Sequence, residues 1–336
     1  MEKEFYFNWN LAQRFVNDYR LPIPIISPEL FQYHLALYNE EMGSMDKWNK
    51  LIDYISNYFI PNKPLKDETL DTRVNAFLER FYEVREKIVT DIPSKPSFIK
   101  FNEMDMSKYQ ITNLKSKCSS LYNETNIGKT FLSIDLSKAN FQALNYVDKS
   151  ILESDTYEGF IKKYTDIYYI LESKYFRQVI FGQMNPKRHT TVEKYMIRKI
   201  HDAFISEFGD KYPLIVANSD ELVYEVDGII NLSSFNDIVK NEYGMNIHTQ
   251  IFTLDGYNFF SERENHKRCT FYNKRDLEND GKHELMCIPM PYHALIYKMF
   301  HGMMLHPLDY HFSYENIDCI FNDTFRIELI NNGNNV

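Results

Sequence analysis

The chain has 336 residues, and 15% of them are aromatic, with 25 Tyr and 25 Phe. This composition is typical of a globular protein and excludes a disordered or fibrous one. The formal net charge is −9, whereas a protein that simply coats nucleic acid is usually basic. Any nucleic-acid site must therefore be a local basic patch on an acidic body, or the chain must work beside a partner.

The N-terminal residues MEKEFYFNWN lack the basic-then-apolar pattern of a secretion signal. No run approaches the roughly 18 apolar residues of a membrane span. The four cysteines are few and scattered, which fits a reducing compartment better than a disulfide framework. We therefore predict a cytoplasmic protein with no membrane partner. The abundance of Lys, Asn, Ile, Tyr and Phe is compatible with an AT-rich phage or viral genome, and hence with the host cytoplasm.

The first third of the chain is predicted to be mostly helical. Residues 28–43, 45–59 and 67–89 each place apolar side chains close to the 3.6-residue period of an amphipathic helix. Pro93 and Pro96, with the polar residues after them, predict a connection. We expect residues 1–125 to form a helical N-terminal domain that acts as a thumb or a docking module.

The pattern changes after residue 125. TFLSIDL (130–136) predicts a strand, SKANFQALNYV (137–147) a helix, and residues 155–208 helical segments with a break or new start at Pro186. LIVAN, ELVYEV and part of 245–260 predict further strands, with a helix at 234–244. A hairpin at 267–289 with an Asp280-Gly281 turn and a helix at 292–304 complete the pattern.

This order of elements is not the regular alternation of strand and helix that builds a doubly wound parallel sheet. It predicts an α+β fold, in which an antiparallel, palm-like sheet has helices packed on one face and a mostly helical region precedes it. We expect a palm with reduced fingers over residues 126–262. Residues 263–336 would add a C-terminal hairpin and helix as an accessory region.

The acids that we consider as candidate metal ligands lie at the ends of two predicted strands. Asp135 ends the first strand, and the corner between LIVAN and ELVYEV contains Asp220 and Glu221. If these strands are neighbours, the acids converge, and their repulsion requires a compensating cation. Mg²⁺ is the usual solution, because it takes one or two carboxylates together with substrate phosphates. Two such ions about 3.5–4 Å apart can activate a hydroxyl and stabilise a leaving oxygen.

A cationic stretch lies between the two acidic segments. In ESKYFRQVIFGQMNPKR (172–188), Lys174, Arg177 and Phe181 share one face of a predicted helix. Lysine and arginine bind phosphate, and an aromatic ring offers a stacking plane. This face suits the triphosphate and the base of a nucleotide.

In this order, the three segments resemble the palm and fingers motifs of family A DNA polymerases. IDLSKANFQAL is similar to the first motif, in which Asp135 and Ser137 match and Asn140 stands where the family has a sugar-gating Glu. SDELVYEV is similar to the third motif, in which Asp220-Glu221 match and Ser replaces the preceding His. The strand MNIHTQIFTLDG resembles the closing palm strand of the family.

SKYFRQVIFG resembles the helix of the fingers. Arg177 stands where the family has a catalytic Lys, and the pair Phe181-Gly182 matches. The stretch from Arg177 to Asp220 is far shorter than in the family. The resemblance therefore implies much reduced fingers and leaves room for a protein partner that replaces them.

The resemblance implies a nucleotidyltransferase that uses nucleoside triphosphates and a nucleic-acid 3′-hydroxyl, with DNA polymerisation favoured. The implied catalytic residues are Asp135, Asp220, Glu221 and Arg177, and the first three would bind Mg²⁺ or Mn²⁺. The implied nucleotide-binding residues are Lys174, Phe181, Ser137, Asn140 and Gly182.

Other interpretations stay open. Because Asn140 replaces the sugar-gating Glu, the product could be RNA, templated or not. The acidic charge and short fingers are also compatible with a non-catalytic nucleic-acid-binding or assembly subunit of a phage complex, and a palm of this kind could also cyclise a nucleotide. Zinc is not expected, because the pairs His266/Cys269 and His283/Cys287 lie at unequal distances from the predicted turn.

Overall fold

The computed structural model describes residues 5–57, 69–279, 282–315 and 317–330. The helices are α1 (Trp9–Tyr19), α2 (Pro28–Leu37), α3 (Asn39–Met42), α4 (Ser44–Ser56), α5 (Leu70–Ser94), α6 (Pro96–Glu103), α7 (Ala139–Val147), α8 (Tyr157–Lys162), α9 (Tyr168–Glu172), α10 (Lys174–Gly182), α11 (Pro186–Phe208), α12 (Ser233–Asn241) and α13 (His293–Phe300). The strands are β1 (Thr130–Leu136), β2 (Leu214–Ala217), β3 (Glu221–Val226), β4 (Ile247–Ser261), β5 (His266–Asp276), β6 (His283–Met286), β7 (His311–Tyr314), β8 (Ile317–Ile320) and β9 (Phe325–Leu329). Among the described helices, none combines the length and the apolar character that a membrane crossing needs.

The chain packs into two compact units, each assembled from separate stretches of sequence. Unit 1 comprises Met1–Asp91, Glu158–Gln183 and Pro289–Asn322. Unit 2 comprises Ile92–Tyr157, Met184–Ile288 and Asp323–Val336. This interleaving differs from the three consecutive domains expected from the sequence, since both expected boundaries, after residues 125 and 262, fall inside unit 2.

Unit 1 is built around aromatic side chains of its amphipathic helices. Trp48 of α4 is 1% exposed and meets the rings of Phe15 and Phe31 edge-on, with centroids 5.2 and 5.0 Å away. Side-chain caps start two of these helices, since Asn8 accepts a hydrogen bond from the amide of Leu11 in α1 and Ser27 accepts one from the amide of Leu30 in α2. The helical prediction for this part of the chain is confirmed.

Pro93 does not end a helix, contrary to the prediction of a connection there. It lies inside α5, and the connection is only the single residue Lys95 between α5 and α6. The apolar stripe of α5 continues to the last turn, where Ile88 and Ile92 are fully buried. Proline near a helix end removes only one backbone donor, so this burial is sufficient to keep the last turn helical.

Unit 2 contains an antiparallel sheet with the strand order β2-β3-β1-β4-β5-β6, and β9 pairs with the outer half of β4. Helices pack on one face of the sheet, where Phe204 of α11 stacks on Tyr224 of β3 at 4.0 Å. Alternate residues face the other side, where Phe131 and Phe252 form a core with Leu121 and other apolar side chains. The predicted α+β class is therefore confirmed.

The C-terminal hairpin of the sheet is also present. β5 and β6 pair antiparallel over four residues, from Tyr272 opposite Met286 to Arg275 opposite His283. The turn predicted at Asp280-Gly281 lies outside the described residues. β5 in turn pairs with β4 along ten positions, so the hairpin extends the sheet instead of forming a separate accessory region.

Two histidines of unit 1, the buried His34 and the half-buried His293, make its stability depend on pH. Burial lowers the pKa of His34 and of His293 to about 4, and the neighbouring His34 also lowers that of His293. In the unfolded chain histidine titrates near 6.5, so stability is complete above about pH 6.5 and is lost as the pH falls toward 4. We expect each histidine to contribute up to about 3 kcal/mol of this loss.

Urea unfolding at pH 7.5 and at pH 4.5 tests this expectation. The free energy of unfolding should fall between the two pH values, and His34→Leu should make the fall smaller. His248→Gln is the matched control, because His248 is exposed. An equal pH dependence in wild type and His34→Leu would contradict the assignment of this effect to His34.

Candidate active site

The two predicted acidic strand ends lie side by side in unit 2. β1 and β3 pair antiparallel, and Asp135 lies directly opposite Glu221. Residues opposite each other in such a pair project from the same face with their Cβ atoms about 4.5–5.5 Å apart. On the other edge of β1, His248 of β4 is the partner of Asp135. The face of the sheet at this end therefore carries two adjacent carboxylates and an imidazole.

Asp220 lies at the tip of the β2-β3 hairpin and is tied to the end of β1. The backbone amide of Asn218 donates to the carbonyl of Glu221 at 2.8 Å, which closes the corner. Neither Ser219 nor Asp220 has a positive φ, so the corner is not the type I′ turn of ordinary tight hairpins. The amide of Leu136 donates to the carbonyl oxygen of Asp220 at 2.8 Å. This bond holds Asp220 beside the residue that follows Asp135.

Glu221 is fixed by hydrogen bonds to both of its carboxylate oxygens. The hydroxyl of Ser133 donates to Oε1 at 2.8 Å, and the side-chain amide of Asn218 donates to Oε2 at 3.4 Å. Ser133 is buried in the middle of β1, so it gives Glu221 a rigid anchor. Glu221 therefore links the corner to the centre of the sheet.

The segment after β1 is held by a buried glutamine. Gln142 of α7 donates from Nε2 to the carbonyl oxygens of Ser137 and Asn246, and its Oε1 accepts from the amide of Asn246 at 2.8 Å. The amide of Ser137 also donates to the carbonyl of Asn246 at 3.0 Å. Ser137 thus lies at a fixed point next to Asp135. Asn140 is half-buried in the first turn of α7.

The cationic residues of the segment that resembles the fingers helix lie on α10, which belongs to unit 1. Lys174 is exposed, Arg177 is half-buried, and Gly182 is the exposed last residue of the helix. Phe181 is 1% exposed and packs 6.4 Å from the ring of Phe160. Its ring supports the helix from inside unit 1 and does not offer the open stacking surface that the motif implied.

Sequence reasoning missed one acid of this region, Glu193 of α11. It is 5% exposed and lies on the buried, mostly apolar stripe of α11 that includes Val192 and Ile197. Burial, and then the charge of Asp220, raise the pKa of Glu193 to about 7. An acid on the apolar stripe of an amphipathic helix is the signal that could have revealed it.

A cavity of about 470 Å³ opens beside the β2-β3 corner within unit 2. Asn218 and Ser219 of the corner line one side, and Thr190, Lys194 and Ile197 of α11 line another. Its size lies in the usual range for small-ligand sites. The cavity gives small ligands access to Asn218 and Ser219 of the corner.

The carboxylates at this end of the sheet suit some metal ions and not others. Among the described residues, no group of three or more His, Cys, Asp or Glu side chains is placed to hold one. Mg²⁺ requires fewer protein ligands, because water and substrate phosphates complete its octahedral shell. A pair formed by Asp135 and Asp220 is therefore compatible with Mg²⁺, whereas a closed zinc site needs four ligands.

No protein-family model, no curated protein and no solved structure matches this chain.

Proposed function

We propose that the chain is a Mg²⁺-dependent nucleotidyltransferase that adds nucleotides to the 3′-hydroxyl of a nucleic acid. Within this class, templated DNA synthesis is favoured by the resemblance to family A DNA polymerases. The proposed substrates are nucleoside triphosphates and a primer–template or a free RNA end. A protein partner that supplies the missing part of the fingers is also proposed.

One observation carries the proposal. Asp135 lies opposite Glu221 across β1 and β3, and the carbonyl of Asp220 accepts a hydrogen bond from Leu136. Three acids from two distant segments of an acidic chain thus converge at one end of an antiparallel sheet. Such convergence is costly without a cation, which supports a site for a hard metal ion.

The residues of the chain would have separate roles in metal binding, positioning and charge stabilisation. Asp135 and Asp220 would hold Mg²⁺, which when bound lowers the pKa of the 3′-hydroxyl and neutralises charge on the phosphates. Glu221, anchored by Ser133, would keep the corner rigid and thereby orient Asp220. Arg177, with Lys174, would stabilise negative charge that develops on the triphosphate. These two roles rest on the sequence motif, since α10 belongs to unit 1.

The proposal is tested by incorporation of labelled nucleotides with the purified full-length chain. The acceptors are a primed DNA template, single-stranded DNA and RNA ends, each with deoxynucleotides or ribonucleotides. We expect products with Mg²⁺ or Mn²⁺ and none after addition of EDTA. The absence of incorporation on every acceptor, together with the absence of Mn²⁺ binding, would overturn the proposal.

The same assay separates the alternatives within and outside this class. Preference for ribonucleotides would assign the half-buried Asn140 to an RNA-synthesising site, and products on unprimed ends would indicate untemplated addition. A second candidate, a non-catalytic nucleic-acid-binding or assembly subunit, is favoured by one observation. Among the described residues, no group of three or more His, Cys, Asp or Glu side chains is placed to hold a metal ion. This non-catalytic subunit would bind nucleic acid, and EDTA would not change that binding.

A further inference from the structure

Helix α11 carries a run of positive charge on a chain that is acidic overall. The net charge of the chain is −9, yet residues 187–199 contain five lysines and arginines and only one acid, Glu193. Glu193 is 5% exposed, so the part of the helix that faces solution presents the cations. Because the solvent-exposed face of a helix usually carries charges of both signs, this positive face requires an explanation.

Three of these cations follow one line along α11. Lys187, Lys194 and Arg198 are seven and four residues apart, which brings them to the same side of an α-helix. The two lysines are exposed, and the side chain of Arg198 is 40% exposed. The line is about 17 Å long at a rise of about 1.5 Å per residue, which matches about five phosphates of one strand of a double helix.

The lysines of this face have no acidic partner in the chain. In the part of the chain that the structure describes, no carboxylate forms an ion pair with Lys187, Lys194 or Lys199. Arg198, by contrast, pairs with Asp202 at 2.9 Å. The three ammonium groups therefore keep their charge available for an external anion such as a phosphate.

Tyrosine rings hold one of these lysines in place. Nζ of Lys199 lies 5.3 Å from the ring centroid of Tyr195 and 5.4 Å from that of Tyr243, within the range of a cation–π contact. Tyr195 in turn packs against Tyr109 and Tyr146, with ring centroids 5.3 and 6.1 Å away. All five residues belong to unit 2. Lysine and tyrosine side chains are among those that contact the phosphates and sugars of nucleic acids.

The positive face borders the candidate active site within unit 2. Lys194 lines the cavity of about 470 Å³, and Asn218 and Ser219 of the β2-β3 corner line another side of it. The next residue of the corner is Asp220. A nucleic-acid strand that lies along α11 can therefore reach the corner.

From these observations we infer that Lys187, Lys194 and Lys199 of α11 bind the phosphodiester backbone of the nucleic-acid acceptor. This inference rests on the proposed function for the identity of the ligand, and it deepens that proposal by naming the surface that holds the acceptor. The contacts are with phosphates, so binding is independent of base sequence and weakens steeply with salt.

Fluorescence anisotropy of labelled acceptors, measured on the full-length chain in EDTA, tests the inference. The acceptors are a DNA primer–template and an RNA strand, because both carry a phosphodiester backbone. The variant Lys187→Gln/Lys194→Gln/Lys199→Gln should bind at least about tenfold more weakly at about 0.1 M salt. The slope of log K against log salt should become shallower by about three, since each phosphate contact contributes about one. The acceptor that shows the loss identifies the backbone that this face holds.

The matched control removes the same charge elsewhere in unit 2. Lys211, Lys267 and Lys282 are exposed and lie outside α11, so their joint replacement by Gln changes the net charge equally. This control should bind both acceptors within about twofold of wild type, as is usual for surface changes. Equal losses in the two triple variants would reduce the effect to net charge and overturn the inference.

The outcomes separate this inference from the proposed function. If wild type incorporates nucleotides but the α11 variant binds both acceptors as wild type does, only the inference is overturned. If wild type binds acceptors through these lysines but incorporates no nucleotide and binds no Mn²⁺, the proposed activity fails and the inference stands. If wild type binds neither acceptor, the inference is overturned.

Chemical protection on the wild-type chain covers the case in which the α11 variant does not fold. Acetic anhydride acetylates accessible lysines, and mass spectrometry locates the acetylated positions. We expect the acceptor to slow acetylation of Lys187, Lys194 and Lys199 and to leave that of Lys267 unchanged. Equal acetylation of the three α11 lysines with and without acceptor would contradict the inference.

Discussion

Replacement of Asp220 by Asn is expected to lower Mg²⁺-dependent nucleotide incorporation at least about a hundredfold, the scale of losing one preorganised electrostatic contact in an active site. Asn has the same shape but lacks the charge that attracts the cation. The backbone bond from Leu136 to residue 220 does not involve the side chain, so the corner should keep its conformation. The measurement is the single-turnover rate of incorporation at saturating nucleotide.

The control for this prediction lies at the other end of the same strand. Asp227 follows β3 and is exposed, so Asp227→Asn makes the same chemical change away from the site. It should leave the rate within about twofold, as is usual for surface changes. Asp135→Asn combined with Asp220→Asn should cost little more than either change alone, because residues that act as a unit are not additive. A full rate in Asp220→Asn would exclude this acid from the chemistry.

The largest effect on stability is expected at a buried ion pair of unit 1. Asp309 is fully buried and accepts from Lys298 at 3.0 Å, from the hydroxyl of Tyr33 at 2.6 Å and from the amide of His306 at 2.6 Å. Asp309→Ala leaves the ammonium of Lys298 without its counter-ion in a site where its side chain is only 9% exposed. We expect the free energy of unfolding to fall by about 3–5 kcal/mol, measured by urea denaturation at pH 7.

Two further variants show whether the charge itself is responsible. Glu83→Gln breaks the exposed pair between Arg80 and Glu83 in the same unit and should cost no more than about 1 kcal/mol. Asp309→Leu together with Lys298→Met removes both charges and should recover much of the loss, because no uncompensated ion stays buried. If Asp309→Ala cost no more than Glu83→Gln, the pair would not be a major source of stability.

Local sequence patterns predicted the elements that matter for the site. β1 covers the residues of TFLSIDL, α7 falls within SKANFQALNYV, and β3 covers ELVYEV. Pro186 opens α11, as a proline at a helix start should. These predictions succeeded because the period of apolar residues and the chemistry of helix ends act over only a few residues.

The same local rules failed where distant residues decide the outcome. Pro93 was expected to lie in a connection, but α5 continues through it, with Ile88 and Ile92 buried beside it in the sequence. Phe181 was expected to face a nucleotide base, yet its ring is buried in unit 1. In both cases burial of apolar side chains outweighed the local signal.

An α+β protein with Asp135 and the pair Asp220-Glu221 at the ends of apolar strands could be predicted from the residues alone. The pairing of Asp135 with Glu221, and the hydrogen bond from the amide of Leu136 to the carbonyl oxygen of Asp220, emerge only in the folded chain. The tertiary structure also decided that two interleaved units replace three consecutive domains. The physical reason is that strand register and helix packing are set by long-range burial, so the neighbours of a carboxylate are not encoded in the residues beside it.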